Sequence, residues 1–215
     1  MNFKELMETR YTTKHYDASR KVDDQTLRAI LEAVRLTPTS VNSQPYHFYV
    51  LTGDAKQKLR DGIKDFNQSR YDAASHAIVI SCKTKIDEEH LKAVLEAEIK
   101  DGRLPNEDLV AAQDKSRHFF SNLHIENGDF EAWTCKQAYI AFATLVYAAH
   151  DVGVDSTALE GIDYDKVNEI MGFKDKGEAC ALVVSLGYRA QDDSNTLDKR
   201  PKSRLSVEQL VSFID

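Results

Sequence analysis

His76-Ala-Ile-Val-Ile-Ser-Cys82 is a continuous apolar run, rich in β-branched residues and too short for a buried helix. It reads as a buried strand, and a buried strand requires a sheet around it. Working outward, Tyr46-His-Phe-Tyr-Val-Leu51 is aromatic and β-branched, a second strand broken by Gly53. Ala179-Cys-Ala-Leu-Val-Val-Ser-Leu186 is another apolar run, and a shorter strand is expected near Val154–Thr157. Between these segments the period changes to that of helices. Leu27, Ile30, Leu31 and Val34 fall at i, i+3, i+4, i+7 behind a cap at Asp23 or Asp24, in a helix that should stop near Pro38. A short helix is expected over residues 2–9, another from Ala55 to about Phe66, and a long core helix from Ala132 to Val152. Residues 86–130 are charged, helical and interrupted by Gly102 and Pro105, an excursion from the sheet too short to hold its own core. The reading is one α+β domain over residues 1–215 with a central sheet.

The bulk numbers narrow the function. A net charge of −7 on 215 residues argues against nucleic acid and against an anionic membrane surface, since both need a basic face. Lys136, Gln137, His150 and Asp151 interrupt the most apolar stretch, which is therefore a core helix and not a membrane span. The first residues lack the apolar centre of a signal peptide, so the cytoplasm is the expected compartment. Cys82, Cys135 and Cys180 each lie in apolar sequence with no Cys-x-x-Cys spacing, and behave as small buried hydrophobes. The seven histidines are scattered without ligand spacing, so no metal site is expected. No Gly-x-Gly-x-x-Gly is present, so a nicotinamide cofactor would have no Rossmann fold of its own.

Two short clusters carry chemistry. Arg10-Tyr-Thr-Thr-Lys14 and Lys202-Ser-Arg204 each bracket hydroxyls with two cations, which suits a phosphomonoester. The loop Pro38-Thr-Ser-Val-Asn-Ser-Gln-Pro45 holds five polar side chains between prolines, in reach of a flat polar ligand or of an interface.

Arg10-x-Thr-x-Lys14, Pro38-Thr-Ser-Val-Asn-Ser-Gln-Pro-Tyr-His-Phe48, Asn67-x-x-Arg70, Arg117-x-Phe-Phe120, Glu160-Gly161 and Pro201-Lys-Ser-Arg-Leu205 follow one another at spacings that resemble the nitroreductase family. The likeness runs from Arg10 to about Leu205 and leans toward its bacterial oxygen-insensitive NAD(P)H nitroreductase and flavin reductase subgroup. It implies a mostly antiparallel central sheet flanked by helices, with the excursion over the active site. It also implies FMN as cofactor, NAD(P)H as co-substrate, and a homodimer with FMN at the interface. Arg10 and Lys202 or Arg204 would hold the phosphate, with Tyr11 alongside and Thr12 donating a hydroxyl. Lys14 would sit by the N1/O2 edge of the flavin and Asn67 at its polar rim, while Leu159, Glu160 and Gly161 would line its face and N5 edge. Pro38, Thr39, Ser40 and Asn42 would reach the flavin of the other subunit. Val41 and Phe120 would border the pocket of the acceptor substrate. Tyr11 stands where relatives carry smaller or imidazole groups, Arg70 where a lysine is usual, and Ala158 where a proline is common.

The activity so implied is two-electron transfer from NAD(P)H, by a ping-pong route, to nitroaromatics, quinones or flavins. Lys14 and Glu160 would support chemistry that the flavin itself performs. The alternatives are a physiological dihydropteridine or quinone reductase, and a flavin-binding protein without catalysis. Ser206 and Gln209 form a capping-box pattern with Leu205 and Leu210 at the staple positions. A short amphipathic helix is therefore expected in the tail 205–215, and the resemblance implies that it packs on the partner subunit.

Overall fold

A computed structural model describes residues 2–214. All four expected strands form: β1 (Tyr46–Leu51), β2 (His76–Lys83), β3 (Asp155–Leu159) and β4 (Glu178–Gly187). They make a sheet of order β1-β2-β4-β3 in which every neighbouring pair is antiparallel. β2 and β4 occupy the centre, which is why both read as unbroken apolar runs.

Alternation along β2 sends its side chains to two cores. Ile78, Ile80 and Cys82 face Ile30, Val34, Ala141 and Leu145, from α2 (Asp24–Arg35) and α7 (Phe130–Asp151). Ala77 and Val79 face Leu59, Tyr71 and Val167, from α3 (Gly53–Leu59), α4 (Asp65–Ala73) and α8 (Tyr164–Met171). The register of β2 on β4 slips between Ile80 and Ser81, which pair with Leu182 and Cys180. Ala181 is the extra residue of that bulge, and it joins the same core as Leu182.

The sequence places most elements within a residue or two. The strand expected near Val154–Thr157 runs instead over Asp155–Leu159. The helix expected from Ala55 to Phe66 is in fact α3, a turn at Arg60–Gly62, and α4. At Gly62 a Cβ would lie 2.7 Å from Val167 Cγ2, so the chain turns where only glycine lets α8 come this close. α8 and the short α9 (Phe173–Lys176) are additions that the sequence reading did not place. Their signals were present. Asp163 accepts from the Lys166 amide as N-cap, and Gly172 ends α8 in the left-handed conformation.

The excursion is α5 (Glu88–Lys100) and α6 (Glu107–Glu126), capped by Asp87 and Asn106. The N-terminal α1 (Phe3–Thr9) and the tail helix α10 (Val207–Leu210) complete the order. The Ser206–Gln209 capping box forms, but α10 is only four residues long and the chain is extended at Val211. Phe213 is 90% and Ile214 92% exposed, and Leu205 and Leu210 are exposed as well. Among the described residues no helix is long and apolar enough to cross a membrane. Cys82 and Cys180 are buried and all three thiols are free. Cys82 and Cys135 share a hydrogen bond that lowers the half-buried Cys135 thiol and raises that of Cys82.

Candidate active site

α1 ends at Arg10, whose backbone turns extended after its amide bonds the Leu6 carbonyl. The following segment runs beside β3, with Thr12 bridged to Ser156 and the Thr13 amide donating to the Ser156 carbonyl. The chain after β4 returns to meet it. Asp193, fully buried, accepts from the Tyr11 hydroxyl at 3.0 Å and from the amides of Lys14 (3.1 Å), His15 (3.3 Å) and Asn195 (3.2 Å). Asn195 Nδ2 donates to the Thr12 carbonyl at 2.7 Å. Lys202 Nζ donates to the Met7 and Arg10 carbonyls, satisfying the C-terminal end of α1.

These contacts enclose a cavity of about 240 Å³ lined by Arg10, Tyr11, Thr12, Asn195, Lys202 and Arg204, among others. Burial lowers the pKa of Arg10 and of Lys202, and Arg204 lowers both further, with Tyr147 opposing at Arg10 and Glu8 at Lys202. Among the described residues no carboxylate pairs with Arg10, Lys202 or Arg204. Arg10 Nε is buried with no hydrogen-bond partner. Three cations and an orphaned guanidinium donor around a small cavity are what a phosphate dianion would satisfy. The Tyr11 ring is turned away toward Asp193, with the Arg189 guanidinium 4.8 Å from its centroid, so Tyr11 offers the cavity main chain and not its phenol.

Lys14 lies just beyond. Its pKa is lowered by burial first and then by Arg70 and Arg200, with Asp193 opposing. Arg70 comes from α4, the helix that also supplies Asn67. Asn67 is buried, and its Nδ2 donates to the Gly161 carbonyl at 3.0 Å. Gly161 has no room for a side chain, since a Cβ would meet Phe66 at 2.5 Å and Asn67 Nδ2 at 2.6 Å. The Phe66 ring is exposed and can swing aside, whereas Asn67 cannot. Gly161→Ala is therefore expected to break the Asn67 bond at a cost of about 1–3 kcal/mol, read as a lower denaturant midpoint at unchanged slope. An unchanged midpoint would show that Asn67 re-forms the bond. Next to it in the chain, Glu160 is exposed and accepts from the Tyr139 hydroxyl at 2.6 Å. The Leu159 side chain is fully buried in the core below β3, which leaves its main chain for any ligand.

The structure therefore gathers Arg10, Thr12, Lys202 and Arg204 in one place and joins Asn67 to Gly161, while the loop Pro38–Asn42 stands apart. It is anchored near the start of α7, where Gln137 Oε1 accepts from the Ser40 amide at 2.9 Å. The cation cluster lies at the other end, where Thr9 meets His150 and Tyr147 acts on Arg10. The stretch of α7 between Gln137 and Tyr147 spans about 15 Å. The Asn42 side chain is committed inside the loop region, donating to Glu98 at 2.8 Å and accepting from Gln44 at 3.2 Å. Val41 and Asn42 have φ of 47° and 51°, left-handed without being glycine. Phe120 sits on α6, edge-on to the more exposed Phe119 at 5.3 Å. Asp193, Tyr139 and Glu98 are not among the residues the sequence singles out. Each acts through a partner distant in the chain, and no local pattern reveals that.

Residues 7–188 match the Nitroreductase family. The major NAD(P)H-flavin oxidoreductase of Aliivibrio fischeri is 35% identical over 97% of this chain and 96% of its own length. The oxygen-insensitive NAD(P)H nitroreductase of Salmonella typhimurium is 34% identical, over 95% and 96%. Among solved structures, a chain from Exiguobacterium sibiricum assigned as a nitroreductase, in complex with FMN, superposes with a TM-score of 0.82. It is 20% identical and covers 100% of this chain and 98% of that one.

Proposed function

The chain belongs to the nitroreductase family, and from that premise we propose that it is an FMN-dependent oxidoreductase carrying two electrons from NAD(P)H to small organic acceptors. The observation that carries this reading is the cavity of Arg10, Lys202 and Arg204 with its unpartnered, buried Arg10 Nε. A terminal phosphate there would be held by the Arg10 fork, the Lys202 and Arg204 charges and the Thr12 hydroxyl. The ring system would then extend past Lys14 toward Asn67, Glu160 and Gly161.

FMN, when bound, supplies the hydride chemistry. What the chain supplies is field, orientation and shape. Lys14 with Arg70 and Arg200 makes a positive region that favours negative charge beside it. The Asn67–Gly161 hydrogen bond fixes the main chain that would lie along the ring. Tyr139 holds the Glu160 carboxylate in place from α7. In the ping-pong order, NAD(P)H binds and leaves before a nitroaromatic, quinone or flavin enters the same space.

The loop Pro38–Asn42 is anchored on α7 about 15 Å of helix away from its own chain's cation cluster, which supports a homodimer in which the loop completes the partner's site. Val41 and Phe120 would then border the acceptor. Flavin released from the purified protein by heat is expected to co-migrate with FMN. FAD in its place, or a colourless protein that added FMN does not reconstitute, would overturn the proposal. NADH oxidation with menadione or a nitroarene should give parallel reciprocal plots, and intersecting plots would overturn the ping-pong order.

A further inference from the structure

Glu98 on α5 and Arg117 on α6 form an ion pair that is almost wholly removed from water. Arg117 is 0% and Glu98 4% exposed, and Arg117 Nη2 lies 2.6 Å from Glu98 Oε2. Buried pairs of this kind are weak sources of stability and better suited to fixing one arrangement. This pair fixes the acceptor loop. Arg117 Nε donates to the Val41 carbonyl at 3.3 Å, joined by Gln113 Nε2 at 3.4 Å. The other Glu98 oxygen accepts from Asn42 Nδ2 at 2.8 Å and faces Arg103 Nε at 3.3 Å. The two residues so gripped, Val41 (φ 47°) and Asn42 (φ 51°), are both left-handed. A β-branched residue in that conformation persists only when its surroundings impose it.

We propose that Glu98 and Arg117 are positioning residues that hold Val41 in its strained conformation and so set the acceptor side of the active site. The proposal rests on the reading of loop 38–42 as part of a flavin site. The helical excursion and the loop then act as one body, joined through Glu98 and His90 on α5 and through Arg117 and Gln113 on α6.

The test is a double-mutant cycle on the full-length, flavin-loaded protein. Glu98→Gln and Arg117→Lys keep the volume or the charge while weakening the grip, and Val41→Gly removes the strain it opposes. Each grip variant is expected to raise amide hydrogen exchange in residues 38–44 about tenfold and to lower kcat/KM for menadione about tenfold. In the Val41→Gly background the same changes should cost less than about threefold in kcat/KM, because glycine takes the left-handed conformation unaided. Equal losses in the two backgrounds, or unchanged exchange in the loop, would overturn the proposal. Exchange is measured on flavin-free protein too. A chain that bound no flavin would refute the function and leave the loop measurement standing.

Discussion

Arg10→Ala is expected to weaken FMN binding roughly tenfold to 150-fold, the range for losing a charged hydrogen-bond partner worth about 1.5–3 kcal/mol. The flavin-free protein should be no less stable than before. The two signs follow from the same feature. Without an anion, Arg10 is half-buried beside Lys202 and Arg204 with no carboxylate partner among the described residues, and its Nε is orphaned. Removing it relieves repulsion and a desolvated donor. With a phosphate in place, the same removal deletes the fork that grips it. Arg10→Lys should fall between, keeping the charge without the bidentate geometry. Flavin fluorescence titration checks the affinity, and melting with and without FMN checks the signs. A variant that loses stability equally in both states would make Arg10 an ordinary structural residue.

Removing the chain after Leu205 is expected to convert the proposed homodimer into monomers and to strip most of the flavin with it. Val207, Leu210, Phe213 and Ile214 are all exposed in the single chain. Fully burying such side chains is worth about 1.5–3 kcal/mol each, enough in sum to hold two subunits together. If each flavin is shared between subunits, FMN also stabilises the dimer by mass action, so assembly and cofactor content should fall together. Light scattering with absorbance at the flavin band measures both at once. A truncated protein that remains dimeric and fully flavinated would remove the tail from the interface. A full-length protein that is monomeric at micromolar concentration yet turns over would refute the shared site.

The strands and most of the helices were legible because their signals are local. An apolar run such as His76–Cys82 is buried whatever surrounds it, and Asp23 caps α2 within three residues of itself. The cation clusters were legible as composition, since Arg10 to Lys14 and Lys202 to Arg204 concentrate charge and hydroxyls in few residues. One stretch departs from its local pattern for a non-local reason. The helix expected over Ala55–Phe66 is split by a turn at Arg60–Gly62, where Val167, more than a hundred residues away, leaves no room for a Cβ on Gly62.

From sequence alone came an acidic α+β chain, a central sheet, a basic pair of clusters and the family they resemble. That the clusters meet was decided by tertiary structure, through Lys202 reaching the carbonyls of Met7 and Arg10 and Asp193 tying the amides of residues 14 and 15. So was the strained set of Val41, held by a carboxylate and a guanidinium from two other helices. The physical reason is one of range. Burial, capping and turn preference act over a few residues and leave a pattern in the sequence. A hydrogen bond between groups far apart in the chain, such as Tyr11 and Asp193, leaves none, because any donor and acceptor brought together by the fold can make it.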